Sequence, residues 1–461
     1  MHKPDETTAS IFRSMGHPMN GLWLTTADQK CLFEKQPFIL QFTNTPSLNS
    51  ATIHIDPNQT YQTMDGFGFS LTGGSAYVLS GLDDITRNKL LVELFSPQKQ
   101  GIGISFLRLS IGASDLSQEP YSYDDAPDGQ ADLELLHFNL LKGDSEVIPI
   151  LQQILAINPS IKIIATPWSA PPWMKTNHSF IGGSLKPEYQ SVYAKYFVKY
   201  IQAMNEYGIA IHAITPQNEP LNDANEPSML MDAIEQATFI KHHLGPAFRS
   251  AGLATKIFCW DHNCDRPDYP MTIYADNQAG NFVAGSAWHL YAGGIDALSK
   301  IHDAYPVKQI YFTEQWVGSE GQFAGDLLWH GRNVLIGSTM NWSSVVLEWN
   351  LASDPNCCPH TVGGAPNCVG ALTIGDTIQR NVAYYIIAHM SKFVRPGSVR
   401  IYSQTDCGLA IVAFKTPDHS FVLVVLNDSD VNMDFNIQIQ QKIASCNIPA
   451  LSLGTYIWKS L

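Results

Sequence analysis

From residue 61 to residue 396 the chain repeats one pattern: a short apolar run, then a longer stretch whose apolar residues return every three or four positions. The apolar runs fall at 64–70, 104–111, 161–167, 209–215, 256–261, 282–291, 309–314 and 344–349. Runs this short, with little polar alternation, predict strands covered on both faces, as in a parallel sheet. Helical spacing is clearest at 85–95, 145–157, 188–207 and 229–251, and returns at 295–304, 323–336 and 377–393. Pro and Gly punctuate the joins, as in Ser96-Pro97, Asn158-Pro159, Tyr207-Gly208 and Tyr305-Pro306. After the fifth run the helical signal is weak, and a helix is placed there by elimination. Eight strand–helix alternations predict an α/β fold, a (β/α)8 TIM barrel; a doubly wound open sheet rarely carries so many in one series.

The two ends read differently. Strand-like runs at 38–42, 51–55, 399–403, 409–414, 421–426, 435–439 and 454–458 are separated by turn residues such as Pro417-Asp418 and Asn427-Asp428. They predict a β-sandwich side domain that is discontinuous, because both chain ends contribute. The organisation expected is an N-terminal extension over 1–20, a first β part over 21–60, the barrel over 61–396 and a second β part over 397–461.

Composition narrows the functional classes. A net charge of −14 without a basic stripe disfavours nucleic acid and anionic membranes. No apolar stretch is long enough to cross a bilayer, and residues 1–20 lack the apolar core of a secretory signal, so no stable membrane insertion is expected. Compartment and oligomeric state are left open. Ten Trp suit a sugar cleft, and equally a large core.

In a TIM barrel the reacting groups stand at the C-terminal ends of the strands. That rule selects Arg108, Trp168, Asn218-Glu219, Asp261-His262, His289, Tyr291, Glu314 and Trp349. Glu219 closes the fourth run and Glu314 the seventh; an ionised carboxylate there carries a desolvation cost that function or an ion pair must justify. A pair of such carboxylates suits acetal hydrolysis. One attacks the anomeric carbon, and the other protonates the leaving oxygen and then activates water.

The motifs Gly66-Phe-Gly68, Phe106-Leu-Arg-Leu-Ser110, Pro167-Trp-Ser-Ala-Pro-Pro-Trp-Met-Lys-Thr-Asn177, Asn218-Glu-Pro220, Thr313-Glu314 and Glu348-Trp-Asn350 occur in this order. Together they resemble glycoside hydrolase family 30, within it the glucosylceramidase branch, over roughly residues 20–461. The resemblance implies a retaining β-glycosidase with Glu219 as acid/base and Glu314 as nucleophile. Substrate-binding neighbours would be Arg108, Trp168, Asn218, Asp261, His262, His289, Tyr291 and Trp349. It implies a β-glycoside or glycolipid substrate, a role in sphingolipid metabolism, no cofactor and no catalytic metal, and only the resemblance suggests a secreted or lysosome-like compartment. Family members of that branch carry an Asp shortly after Gly-Phe-Gly where this chain has Gly73. A different hydroxyl pattern is then expected, with β-xylosidase, β-fucosidase and endo-β-1,6-galactanase activities as alternatives to β-glucosidase. A non-catalytic glycan-binding barrel is the alternative of another class.

Three further features compete for attention. A second Asn-Glu-Pro at 225–227 follows a polar stretch and reads as the start of the next helix. Asp261-His-Asn-Cys-Asp265 looks metal-like, but neighbouring strand positions diverge, so cleft lining by Asp261 and His262 is preferred. Cys357, Cys358, His360 and Cys368 match no zinc spacing, which leaves a loop disulfide involving Cys368 or free thiols.

Overall fold

The computed structural model describes residues 20–44, 51–98, 101–127 and 130–459; the expected extension lies, but for its last residue, outside them. The eight apolar runs form a closed barrel. Its strands are Gly66–Ser70, Phe106–Ser110, Lys162–Thr166, Ala213–Ile214, Lys256–Cys264, Val283–Gly293, Gln309–Glu314 and Val345–Asn350. Every neighbouring pair is parallel, and the eighth strand closes on the first. The interior is a packed plug that includes Phe106, Ile164, Phe258, Tyr311 and Leu347, with Phe258 and Tyr311 stacked at 4.0 Å. Between the first two strands the backbones approach so closely that a Cβ at Gly68 would lie 1.9 Å from the Phe106 carbonyl oxygen. Only glycine closes the barrel at that point.

The helices follow the predicted spacing with three instructive differences. Residues 229–251 begin their helix at Ala233, where Asp232 and Glu235 form a capping box, and pass through a π-helical turn at Ile240–Leu244. The segment 323–336 carries a second π turn, His330–Ile336. Residues expected to open the last helix instead pair as a strand, Ile378–Arg380, and the helix starts at Val382. The weak segment after the fifth strand holds two short helices, Asp268–Ala275 and Asn277–Phe282.

The side domain is one nine-stranded sheet. Its order is Glu34–Gln36, Asn20–Thr26, Ser452–Lys459, Ser420–Asn427, Ala410–Lys415, Val399–Gln404, Ala51–Thr63, Met433–Ile439 and Lys442–Ile448. One face of it, including Ile53, Leu423, Phe435, Tyr456 and Trp458, encloses a core of its own. The other face, with Val412, Phe414, Val422, Val424 and Leu453, joins the barrel's hydrophobic core. Ser420–Asn427 is therefore buried at every position, and its sequence reads as a continuous apolar run for that reason. The expected strand at 38–42 is absent. Leu40 satisfies its backbone on the Asn20 side chain instead, donating at 2.8 Å and accepting at 2.9 Å.

One imidazole ties both chain ends to the barrel. His389, fully buried near the end of the last helix, meets the Thr455 hydroxyl through Nδ1 at 2.8 Å and the Thr25 hydroxyl through Nε2 at 2.9 Å. Burial alone pushes its pKa down from 6.5 to about 3, so it stands neutral. A neutral folded form means that the unfolded chain takes up the extra proton. This contribution to stability is whole above pH 6.5 and is lost as pH falls toward 3, at about 1.4 kcal/mol per pH unit. We expect His389→Ala to lower unfolding free energy by about 2–4 kcal/mol. Denaturant midpoints should also show a shallower decline between pH 6.5 and 5 in the variant; an unchanged slope would remove His389 from the acid response.

Candidate functional site

The barrel mouth is organised around a carboxylate that solvent does not reach. Asp261 is fully buried on the fifth strand and accepts hydrogen bonds from five groups on five other segments of the barrel wall. To Oδ2 come Arg108 Nη2 at 2.9 Å, the Thr215 hydroxyl at 2.7 Å and the Thr166 hydroxyl at 3.0 Å. To Oδ1 come the Thr313 hydroxyl at 2.7 Å and His289 Nε2 at 3.1 Å. Burial opposes the charge, but Arg108, His289 and Thr313 more than offset it and hold the carboxyl below its ordinary range. Reaching this position puts Trp260 and Asp261 in the left-handed region, with φ of 74° and 68°.

The two cations that Asp261 anchors each hold one of the sequence-selected glutamates. Arg108 Nη1 donates to Glu314 Oε2 at 2.5 Å, and Nη2 reaches Asn218 Oδ1 at 2.6 Å. The Tyr291 hydroxyl donates to Glu314 Oε1 at 2.9 Å. His289 Nδ1 lies 3.1 Å from Glu219 Oε1, and Asn222 donates to Glu219 Oε2 at 2.8 Å. An oxygen of Glu219, an oxygen of Glu314 and a ring nitrogen of His289 all fall within 4.8 Å of one another. Burial opposes a charge on His289, yet Glu314, Asp261 and Glu219 raise its pKa to about 9. Burial raises Glu219 too, but the His289 proton outweighs this and draws it to about 2. Glu314 is pushed up by burial and by Glu219, while His289 and Arg108 pull the other way. With the proton on Nδ1 His289 donates to Glu219; shifted along the same bond, it leaves Glu219 as a neutral acid.

Glu219 stands beyond the short fourth strand, at a φ of 44°. The extended segment stays tied to its neighbours: Asn218 N–H donates to the Pro167 carbonyl at 2.8 Å and Glu219 N–H to the Asp261 carbonyl at 3.0 Å. The cavity above has a volume of about 440 Å³ and is lined by Glu219, Glu314, His262, Tyr291, Trp349 and Trp316, together with Asp115 and the loop at 221–225.

Several expected substrate contacts lie behind this surface. Asp261, Arg108 and His289 are completely buried and spend their hydrogen bonds on other protein groups, so the expected cleft lining by Asp261 is corrected to support beneath the cleft. Trp168 is buried behind Trp349, stacked at 5.1 Å, and the Arg108 guanidinium lies 4.9 Å and 5.3 Å from the two rings. His262 does reach the cavity, with Nε2 3.9 Å from Glu219. Glu226 does not open a helix: its loop packs on 361–363, where Glu226 Oε2 accepts from Gly363 N–H at 2.9 Å, and it lines a neighbouring cleft. All eight cysteines are free. Glu219, His289 and Glu314 are close enough to share a metal ion, but Arg108 and Tyr291 already occupy Glu314, and a guanidinium at 2.5 Å repels a second cation. Strand-end selection passed over Thr166, Thr215 and Thr313 because it sought charge and aromatic rings. Each stands at the mouth end of its run, so the same positional rule applied to hydroxyls would have found them.

Residues 64–394 match the glycosyl hydrolase family 30 TIM-barrel domain and residues 397–456 the family's beta sandwich domain. The chain belongs to glycosyl hydrolase family 30, and it is a glycosidase fold of barrel plus sandwich. It is 36% identical to the endo-1,6-beta-D-glucanase of Aspergillus fumigatus over 431 residues, covering 87% of this chain and 86% of that protein. The structure of an endo-beta1,6-glucanase superimposes with a TM-score of 0.89 at 38% identity, over 96% of this chain and 99% of the other. A putative glucosylceramidase of Caenorhabditis elegans is 30% identical over 434 residues, 88% of this chain and 82% of that one. Likeness to glucosylceramidases is thus real and weaker, and the glucosylceramidase branch expected from the motifs gives way to the glucanase relatives.

Removing the central carboxylate should show how much the site costs to hold together. Asp261→Ala leaves Arg108 and His289 buried with less compensation and is expected to cost about 3–5 kcal/mol in unfolding free energy. Asp261→Asn, which keeps the shape, should cost less. Chemical denaturation at pH 7 measures both, and equal losses would mean that charge rather than shape matters.

Proposed function

We propose that the chain is a retaining β-glycosidase that cleaves within β-1,6-linked glucan. The observation that carries the mechanism is the short separation of Glu219 and Glu314, with oxygens within 4.8 Å. Retaining enzymes place their carboxyls about 5–5.5 Å apart, and inverting ones about 6.5–9.5 Å. The substrate reading is supported by the glucanase relatives and by room for a polymer: a second cleft of about 600 Å³, lined by Trp173, Phe180 and Ile181, adjoins the loop that walls the first. A glycan-binding barrel without activity would have no use for two carboxylates held by separate cations.

Glu314, turned by Arg108 and Tyr291, attacks the anomeric carbon while the proton shared by His289 and Glu219 passes through Glu219 to the leaving oxygen. Esterified Glu314 no longer carries a charge, and Glu314 is the foremost of the groups that hold the proton on His289. The His289–Glu219 pair is then left with one fewer proton, and Glu219 takes one from water as the base of the second step. Asn218, fixed by Arg108, is read as a sugar contact from the resemblance, and Trp349, which lines the cavity, would cover the sugar's apolar face.

Digestion of β-1,6-glucan should release a mixture of oligosaccharides whose first-formed reducing ends are β, read by proton NMR before mutarotation; α-anomers would indicate inversion. Hydrolysis of glucosylceramide vesicles faster than the glucan would return the substrate to the glycolipid reading. Glu314→Gln should abolish turnover of every substrate. Glu219→Gln should stall on an activated aryl glycoside and resume with azide to give a β-glycosyl azide. Rescue of Glu314→Gln as the β-azide would exchange the roles, whereas its α-azide would confirm Glu314 as the nucleophile.

The proton shared by His289 and Glu219 sets a second expectation. Because His289 is raised to about 9, kcat/KM should hold through neutral pH and fall as pH rises through that value. Asp261→Asn removes one of the charges raising His289 and should move this basic limb to lower pH. A limb that stays in place would separate His289 from the acid proton.

A further inference from the structure

The second Asn-Glu-Pro takes no part in the catalytic step, and its two polar residues face different spaces. Asn225 lines the catalytic cavity, and Glu226, the next residue, lines the cleft of about 600 Å³ with Trp173, Phe180 and Ile181. The loop 221–226, which starts directly after Glu219-Pro220, thus presents side chains to both. Glu226 is anchored through one oxygen only. Its Oε2 accepts from Gly363 N–H at 2.9 Å, and its carbonyl accepts from the Thr361 hydroxyl at 2.6 Å. Among the described residues no group bonds Oε1. The other carboxylate of the cleft, Asp125, is already spent on the Ser122 hydroxyl and Lys142 Nζ. The aromatic wall is tied to the same loop: Ser228 N–H donates to the Phe180 carbonyl at 2.8 Å, and Gly182 N–H to Ser228 Oγ at 2.9 Å. The buried Lys175 fixes that join from beneath, donating to the Ser228 carbonyl at 2.7 Å. An oriented acceptor and an apolar wall are therefore held together before any ligand arrives.

We propose that this cleft is a remote subsite that binds a glucose unit of the departing β-1,6-linked chain, with Glu226 Oε1 accepting from its hydroxyls. The assignment rests on reading the chain as a β-1,6-glucanase. Glu219 gives its proton to the leaving oxygen, so the departing part of the substrate lies on the side of Glu219. The loop that continues from Glu219 leads along that side to Glu226. A glucose unit linked through its exocyclic carbon keeps the hydroxyls at C2, C3 and C4, all of them donors that a carboxylate oxygen can accept. Its C–H face suits the Phe180 ring. The exocyclic linkage also adds a rotatable bond per unit, which lets the chain turn from one space into the next.

The test varies substrate length. kcat/KM is measured on an aryl β-glucoside, which ends in the first cavity, and on β-1,6-linked gluco-oligosaccharides of increasing length. The wild type should gain at the length that first reaches the outer cleft and then level off. Glu226→Ala and Phe180→Ala should lose that gain, so that the ratio of the longest oligosaccharide to the aryl glucoside falls roughly 5- to 20-fold. Melting temperatures are recorded, and Ile181→Ala, at an exposed position of the same wall, carries the test should either variant fail to fold. A general structural defect would lower both substrates alike and leave the ratio unchanged. An unchanged ratio, or a wild type that gains nothing with length, would overturn the subsite and leave the glucanase reading standing. A wild type that cleaves the aryl glucoside but no β-1,6-linked oligosaccharide would overturn that reading and this assignment with it.

Discussion

A carboxylate sealed beneath a barrel mouth must be surrounded by donors, and at Asp261 the donors come from five different parts of the wall. This single requirement orders the rest of the site. It draws Arg108 and His289 inward as charged groups, and each turns a second nitrogen, Nη1 of Arg108 and Nδ1 of His289, to one glutamate. The glutamates inherit different partners, a permanent cation for one and a proton-exchanging ring for the other, and that asymmetry is what two chemically identical side chains need to do unlike work. Three threonines complete the arrangement without adding charge.

The same requirement explains how the chemistry can be kept while the substrate varies. The glutamates, Arg108, His289 and Asp261 depend on strand ends, which the barrel fixes to within its own register. The cavity wall above them comes from loops: 111–118 with Asp115, 221–225, and the long segment after the eighth strand that brings Ala365. Loops can change without disturbing the buried charges. A family that shares the catalytic frame can therefore contain glucanases and glucosylceramidases, and identity across the whole chain separates them better than the catalytic motifs do.

The barrel was legible because its strands are covered on both sides and its helices on one, so the two periodicities alternate clearly along the chain. The motif residues were legible because function puts charge at the ends of apolar runs. What escaped had physical reasons. Asn20–Thr26 is short and pairs along its whole length with Ser452–Lys459, far away in sequence; Lys442–Ile448 is an edge strand in a tight hairpin with Met433–Ile439, and its buried positions Ala444 and Cys446 are too small to mark an apolar alternation. The expected strand at 38–42 had the right residues, but its backbone is satisfied by a side chain, Asn20, rather than by a ladder. Asp261 was found and misplaced: strand-end position says that a residue is near the mouth, and only packing decides whether it faces the cavity or the protein beneath.

The placement of Asn20–Thr26 between Glu34–Gln36 and Ser452–Lys459 bears on how the molecule comes into being. On the ribosome the second of these partners emerges only after the whole barrel has been made, so an edge rich in Leu and Trp must wait, half-paired, through that interval. Thr25 and Thr455, which His389 holds together, arrive at opposite ends of that interval. Synthesis of this chain therefore has a late, non-local closing step, and a ribosome stalled before Ser452 would leave a barrel with an open apolar flank, the kind of surface that chaperones hold and aggregates grow from.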